Sequence, residues 1–63
     1  FVRNERLARA ARLLADPLHS GRRISDIAYD SGFADLSYFN RAFRAQFDMT
    51  PSDYRAQALG RRP

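Results

Sequence analysis

The chain has 63 residues, eleven basic against seven acidic, for a formal charge of +4, and every basic residue is arginine. There is one histidine and neither cysteine nor tryptophan. A chain of this length forms at most one domain and buries only about 60% of its unfolded surface. Without cysteine, no disulfide or thiolate zinc site can brace it. His19 alone cannot supply His-rich metal ligation, and no nucleophile–base pair or phosphate-cradling Gly loop can be assembled. No cofactor or metal is therefore expected, an enzyme is the least supported class, and a basic binding module leads.

No run of 18 apolar residues is present, so no segment of the sequence can span a bilayer as a helix. Arg3, Arg6, Arg9 and Arg12 interrupt the apolar stretch that a signal peptide needs. With no cysteine, the expected compartment is the cytoplasm. The chain opens on Phe1 rather than Met, which reads as a fragment or a processed product.

Residues 1–15 have a helical period: Leu7, Ala10, Ala11 and Leu14 recur at offsets of three and four and share one face. Glu5, Arg9 and Arg12 fall opposite, and Glu5 and Arg9 are spaced for an i,i+4 pair worth about 0.3 kcal/mol. Asp16-Pro17 ends the pattern, because the residue before proline is pushed out of the helical region. Residues 17–23 read as a loop that leaves His19 in solvent. A short helix follows, from Ile24 or Ser25 to Ser31. In one register Ser25 caps it and Ile24 and Tyr29 form a hydrophobic staple; in the other Arg23 is the cap and Asp26 lies at N3. Ile27 and Ala28 face the core in both. Gly32 permits the left-handed backbone of an abrupt stop, Phe33 plugs the corner, and Asp35 is a natural cap for the next helix.

Residues 36–47 carry the clearest pattern. Leu36, Phe39, Phe43 and Phe47 cover about 80° of a helical face, with Ser37, Arg41 and Arg44 on the other side and Asn40 at the border. Asp48-Met49 closes this helix. Thr50 caps the last one with Pro51 at its first position and Asp53 at N3. That helix turns Tyr54 inward with Arg55 beside it, and fades over 57–59. The predicted fold is all-α: a small helical domain whose homeodomain-like three-helix unit contains a helix-turn-helix, preceded by a linker helix. Residues 1–16 form the linker, 17–59 the helix-turn-helix unit and 60–63 a disordered tail.

Two helices joined by Gly32-Phe33-Ala34-Asp35 describe a helix-turn-helix, whose second helix enters the DNA major groove. The polar face of 36–47 has the matching chemistry. Arg41 suits the O6 and N7 of guanine, Asn40 the donor–acceptor edge of adenine, and Ser37 several bases. Leu36 suits a thymine methyl or the core. Arg44 and the Tyr38 hydroxyl suit phosphate, as do Arg22 and Arg23. Phe39, Phe43 and Phe47 are spaced for burial, not for stacking on bases.

Ile24-Ser25-Asp26-Ile27-Ala28, Gly32-Phe33, Ser37 to Arg44, Phe47 and Thr50 to Arg55 resemble the signature of AraC/XylS-type transcription regulators. Arg6-Leu7 to Leu14 is similar to the helix that precedes it in that family. The resemblance implies a DNA-binding domain of two helix-turn-helix units joined by a long helix. This chain would be the joining helix and the second unit. It implies Leu36, Ser37, Asn40 and Arg41 at groove-facing positions and Arg44 at the backbone. It also implies promoter DNA and RNA polymerase as partners, and a separate effector or dimerisation domain. On that view the chain itself is a marginally stable monomer and the whole protein a possible dimer. The departures are a longer loop before Ile24, Asp48 in place of a frequent Gly, and Arg23 in place of a small capping residue. The alternative is a basic amphipathic module for a partner protein or an anionic membrane surface, disfavoured by the alanine-rich apolar face of the first helix.

Overall fold

The structure, a computed structural model, describes residues 4–60. The expected helical start at 1–3 and most of the expected tail, 61–63, lie outside the described residues. Among the described residues four α-helices form: α1 (Glu5–Leu14), α2 (Ile24–Asp30), α3 (Leu36–Phe47) and α4 (Pro51–Ala58).

Asn4 starts α1, its Oδ1 accepting from the backbone N–H groups of Arg6 and Leu7 at 3.0 and 3.2 Å. Such a cap satisfies donors that have no partner within the helix. Leu7, Ala10, Ala11 and Leu14 are all buried, as their spacing predicts. The two alanines bring neighbouring backbones close, and α1 packs against α2, α3 and α4 alike. The expected Glu5–Arg9 pair is not among the ion pairs of the described residues. Arg9 Nε turns instead to the Asp30 carbonyl, 3.4 Å away at the C-terminus of α2. Carbonyls there lack helical partners and carry the negative end of the dipole, so they compete with an exposed carboxylate.

The segment expected as plain loop contains a 3₁₀ turn, Pro17–His19, capped by Asp16, whose Oδ1 accepts from the Leu18 N–H at 2.9 Å. His19 is half-buried rather than solvated. Its Nδ1 lies 3.5 Å from an Arg22 guanidinium nitrogen and its Nε2 3.9 Å from the Asp16 carboxylate.

Of the two registers open for α2, the structure adopts the one capped by Arg23, with Asp26 at N3 and no side-chain capping bond. Tyr29 is 53% exposed and so forms no staple with Ile24, which packs against the core. The C-terminus closes as a Schellman turn: the Gly32 N–H donates to the Tyr29 carbonyl and the Phe33 N–H to the Ala28 carbonyl, both at 3.0 Å. Gly32 supplies the required positive φ of 98°. Buried Ser31 donates its hydroxyl to the Ile27 carbonyl at 2.8 Å.

Asp35 caps α3 through the Ser37 and Tyr38 N–H groups at 2.9 and 3.2 Å. Phe39 and Phe43 are fully buried, and Leu36 and Phe47 half-buried against them. Phe33 plugs the corner as expected, its ring centroid 4.9 Å from that of Phe39. Asp48 ends α3 in the left-handed region at φ 64°, donating its N–H to the Arg44 carbonyl at 2.8 Å. Thr50 Oγ1 accepts from the Asp53 N–H at 3.1 Å, and Pro51 occupies the first turn of α4. Tyr54 meets Phe43 edge-on, 5.4 Å between centroids, and lies 5.3 Å from Phe47. A continuous aromatic row from Phe33 to Tyr54 thus fixes α3 and α4 together, each ring pair contributing about 0.5–1.5 kcal/mol beyond area burial.

Candidate nucleic-acid interface

With its aromatic face committed to the core, α3 presents the opposite side to solvent. By the helical period, Asn40, Arg44, Ser37 and Arg41 lie within about 100° of arc. All four are exposed. Asn40, Arg41 and Arg44 line one open groove, whose other wall is Ile24 of α2 and Thr50, Pro51 and Ser52 at the start of α4. By spacing alone Thr50 and Pro51 have only a capping role, and Ser52 carries no signal. Their place beside the arginines follows from the sharp return of the chain at left-handed Asp48, which periodicity does not encode.

The other predicted residues separate. Leu36 is half-buried and packs on the core, so only part of it faces outward. Tyr38 is 49% exposed and sits over the corner, its ring 6.1 Å from that of Phe33. Arg23 is exposed at the N-terminus of α2. Arg22 is not free: its guanidinium lies 2.7 Å from the Asp30 carboxylate. Its backbone carbonyl, moreover, accepts a hydrogen bond from Arg55.

The surface of α3 is therefore a short, rigid, cationic and hydrogen-bonding ridge. It can present a bidentate guanidinium and a bidentate amide to base edges, with a further guanidinium one turn on. Among the described residues, no group of three His, Cys, Asp or Glu could hold a metal ion, and no helix is long and apolar enough to cross a membrane. The apolar face of α1 is buried inside the domain, which leaves it nothing to insert into lipid.

A family model described as a helix-turn-helix domain matches residues 1–57. Among curated proteins, the chain is 47% identical over 55 residues to the regulatory protein SoxS of Escherichia coli K12, covering 87% of this chain and 49% of SoxS. The chain belongs to the AraC/XylS-type helix-turn-helix family. It is also 60% identical over 35 residues to the transcriptional activator RhrA of Rhizobium meliloti, 56% of this chain and 11% of RhrA. Against the transcriptional activator RhaR of Yersinia pseudotuberculosis it is 46% identical over 59 residues, 94% of this chain and 19% of RhaR. The chain thus spans about half of SoxS and smaller shares of the other two. No solved structure matches it. These relatives are named as a regulatory protein and as transcriptional activators. The segment before α2 holds the 3₁₀ turn, and Asp48 adopts the left-handed backbone.

Proposed function

We propose that α3 reads duplex DNA in the major groove, with Arg41 on guanine, Asn40 on adenine, and Ser37 and the exposed part of Leu36 completing the base contacts. The observation that carries this reading is that one groove is lined by Asn40, Arg41 and Arg44 together, on the side of α3 turned away from Phe39 and Phe43. Arg44, the Tyr38 hydroxyl and Arg23 serve phosphates, and Arg22 is withheld from that set by Asp30. The two cationic phosphate contacts, Arg44 and Arg23, give a slope of log affinity against log salt near about −2.

On this reading residues 1–16 are a joining helix, residues 17–59 are the second unit of a bipartite reader and 60–63 is a tail. The whole protein acts in the cytoplasm, without catalysis, and meets RNA polymerase at its promoters. The chain by itself is a monomer. Selection of bound duplexes from a random pool tests the central claim. A recovered consensus of a few adjacent base pairs, including a guanine lost on Arg41→Ala, is the expected result. Recovery of unrelated sequences with equal affinity would overturn it.

A further inference from the structure

Four arginines are exposed or half-exposed yet point into the fold rather than toward the α3 ridge. Arg9 of α1 donates to the Asp30 carbonyl at 3.4 Å. Arg22, ahead of α2, pairs with the carboxylate of the same Asp30 at 2.7 Å. Arg55 of α4 donates to the carbonyl of Arg22. Arg6 of α1 lies across Gly32: a Cβ placed there would meet its Nε at 3.3 Å and its Cδ at 3.4 Å. α1, the segment before α2, and α4 are thus tied to the two ends of α2 and to the corner that launches α3. The physical reason is local. The C-terminus of α2 concentrates a dipole end and the Asp30 carboxylate, and guanidinium forks with several donors satisfy both.

We propose that Arg9 and Arg55 are positioning residues for DNA reading, acting through Asp30 and the Arg22 carbonyl to fix α2, and with it the recognition helix, against α1 and α4. They touch no base or phosphate. This rests on the assignment of α3 as the reading helix. Its consequence is that part of the positive charge contributes to sequence discrimination without making a phosphate contact.

The test compares Arg9→Ala, Arg55→Ala and Arg55→Lys with Arg12→Ala, a control that removes the same charge from the same helix as Arg9. Arg12 makes no hydrogen bond or ion pair among the described residues. Affinity for the selected duplex and for a scrambled one is measured across salt concentrations, with thermal melting of each variant. The expected result is a fall in the specific-to-scrambled ratio of about fivefold or more for Arg9→Ala and Arg55→Ala, comparable to a weakened bidentate base contact. The salt slope stays unchanged, Arg12→Ala keeps the ratio, and Arg55→Lys restores it.

A uniform loss on both duplexes, with the slope shallower by about 1, would make these arginines phosphate ligands and overturn the proposal. A lowered melting temperature with the ratio intact would reduce them to structural groups and overturn it equally. Residual dipolar couplings in the free protein keep this separate from the assignment of α3. If the wild type shows no site preference, that assignment fails. If the α1–α3 angle is the same in wild type and in both alanine variants, the positioning role fails.

Discussion

Arg22 and Asp30 are eight positions apart, one before α2 and the other its last residue, and their charged groups meet at 2.7 Å. The arginine side chain therefore runs along α2 instead of reaching out toward a duplex. About a third of the Arg22 side chain and half of the Asp30 side chain remain exposed, so water screens the pair. A pair of this kind is worth about 0–1 kcal/mol. Its larger effect is on the field outside the protein.

Asp30→Asn should accordingly leave the melting temperature nearly unchanged while releasing a cation. Affinity for non-specific duplex should rise, and the salt dependence should steepen by up to about one phosphate contact. Fluorescence anisotropy titrations at several salt concentrations measure both.

Arg41→Ala and Arg44→Ala should behave differently although both remove one exposed charge from α3. Loss of Arg41 should cost about 1–3 kcal/mol on the selected site and relax one base position. Loss of Arg44 should weaken every duplex alike and make the salt slope shallower by about 1. An equal loss on all sequences for Arg41→Ala would make it a phosphate ligand.

Phe43→Ala should cost about 3–5 kcal/mol, because the ring is fully buried and touches Phe39, Phe47 and Tyr54 at once. A small domain has little more stability than that in total. Far-ultraviolet circular dichroism should show a largely unfolded chain at room temperature.

Asp35→Ala removes the acceptor of two N–H groups at the start of α3 and should cost about 1 kcal/mol. Amide exchange at Ser37 and Tyr38 should accelerate more than exchange at Phe43. Since Ser37 is a proposed base contact, site discrimination should fall along with stability.

The limits of α3 were readable from the chain because three phenylalanines at four-residue spacing leave only one buried face, and Asp35 marks its start. The corner was readable for a similar reason: Gly32 followed by an apolar residue needs the left-handed turn that the structure adopts. The α2 register was not. Ser25 is the better cap by chemistry, yet Ile27 and Ala28 face the core in either register, so the apolar spacing does not decide between a start at Arg23 and one at Ser25. The partners of Arg9, Arg22 and Arg55 were also hidden. An arginine can reach a carbonyl anywhere within several ångströms, and Arg55 finds one 33 residues away. Such contacts depend on where helices end up, which local spacing does not specify. For the same reason the position of Ser52 beside Arg41 and Arg44 is not legible from spacing, whereas Asn40, Arg41 and Arg44 themselves fall on one face by counting.

The Schellman turn at Gly32 and Phe33 has a consequence for the entropy of recognition. Its two N–H groups are held by Tyr29 and Ala28 carbonyls, and the Phe33 ring lies 5% exposed beneath them. The first half of the bend between α2 and α3 is thus bonded back onto α2. The loss of backbone freedom at the bend is incurred when the chain folds, not when it meets DNA. What remains to be immobilised on association is chiefly the side chains of the α3 ridge, at about 0.5–1.5 kcal/mol for each rotamer-rich one. A reader of this size can make few contacts, and a bend that is already rigid leaves more of their free energy available for choosing between sequences.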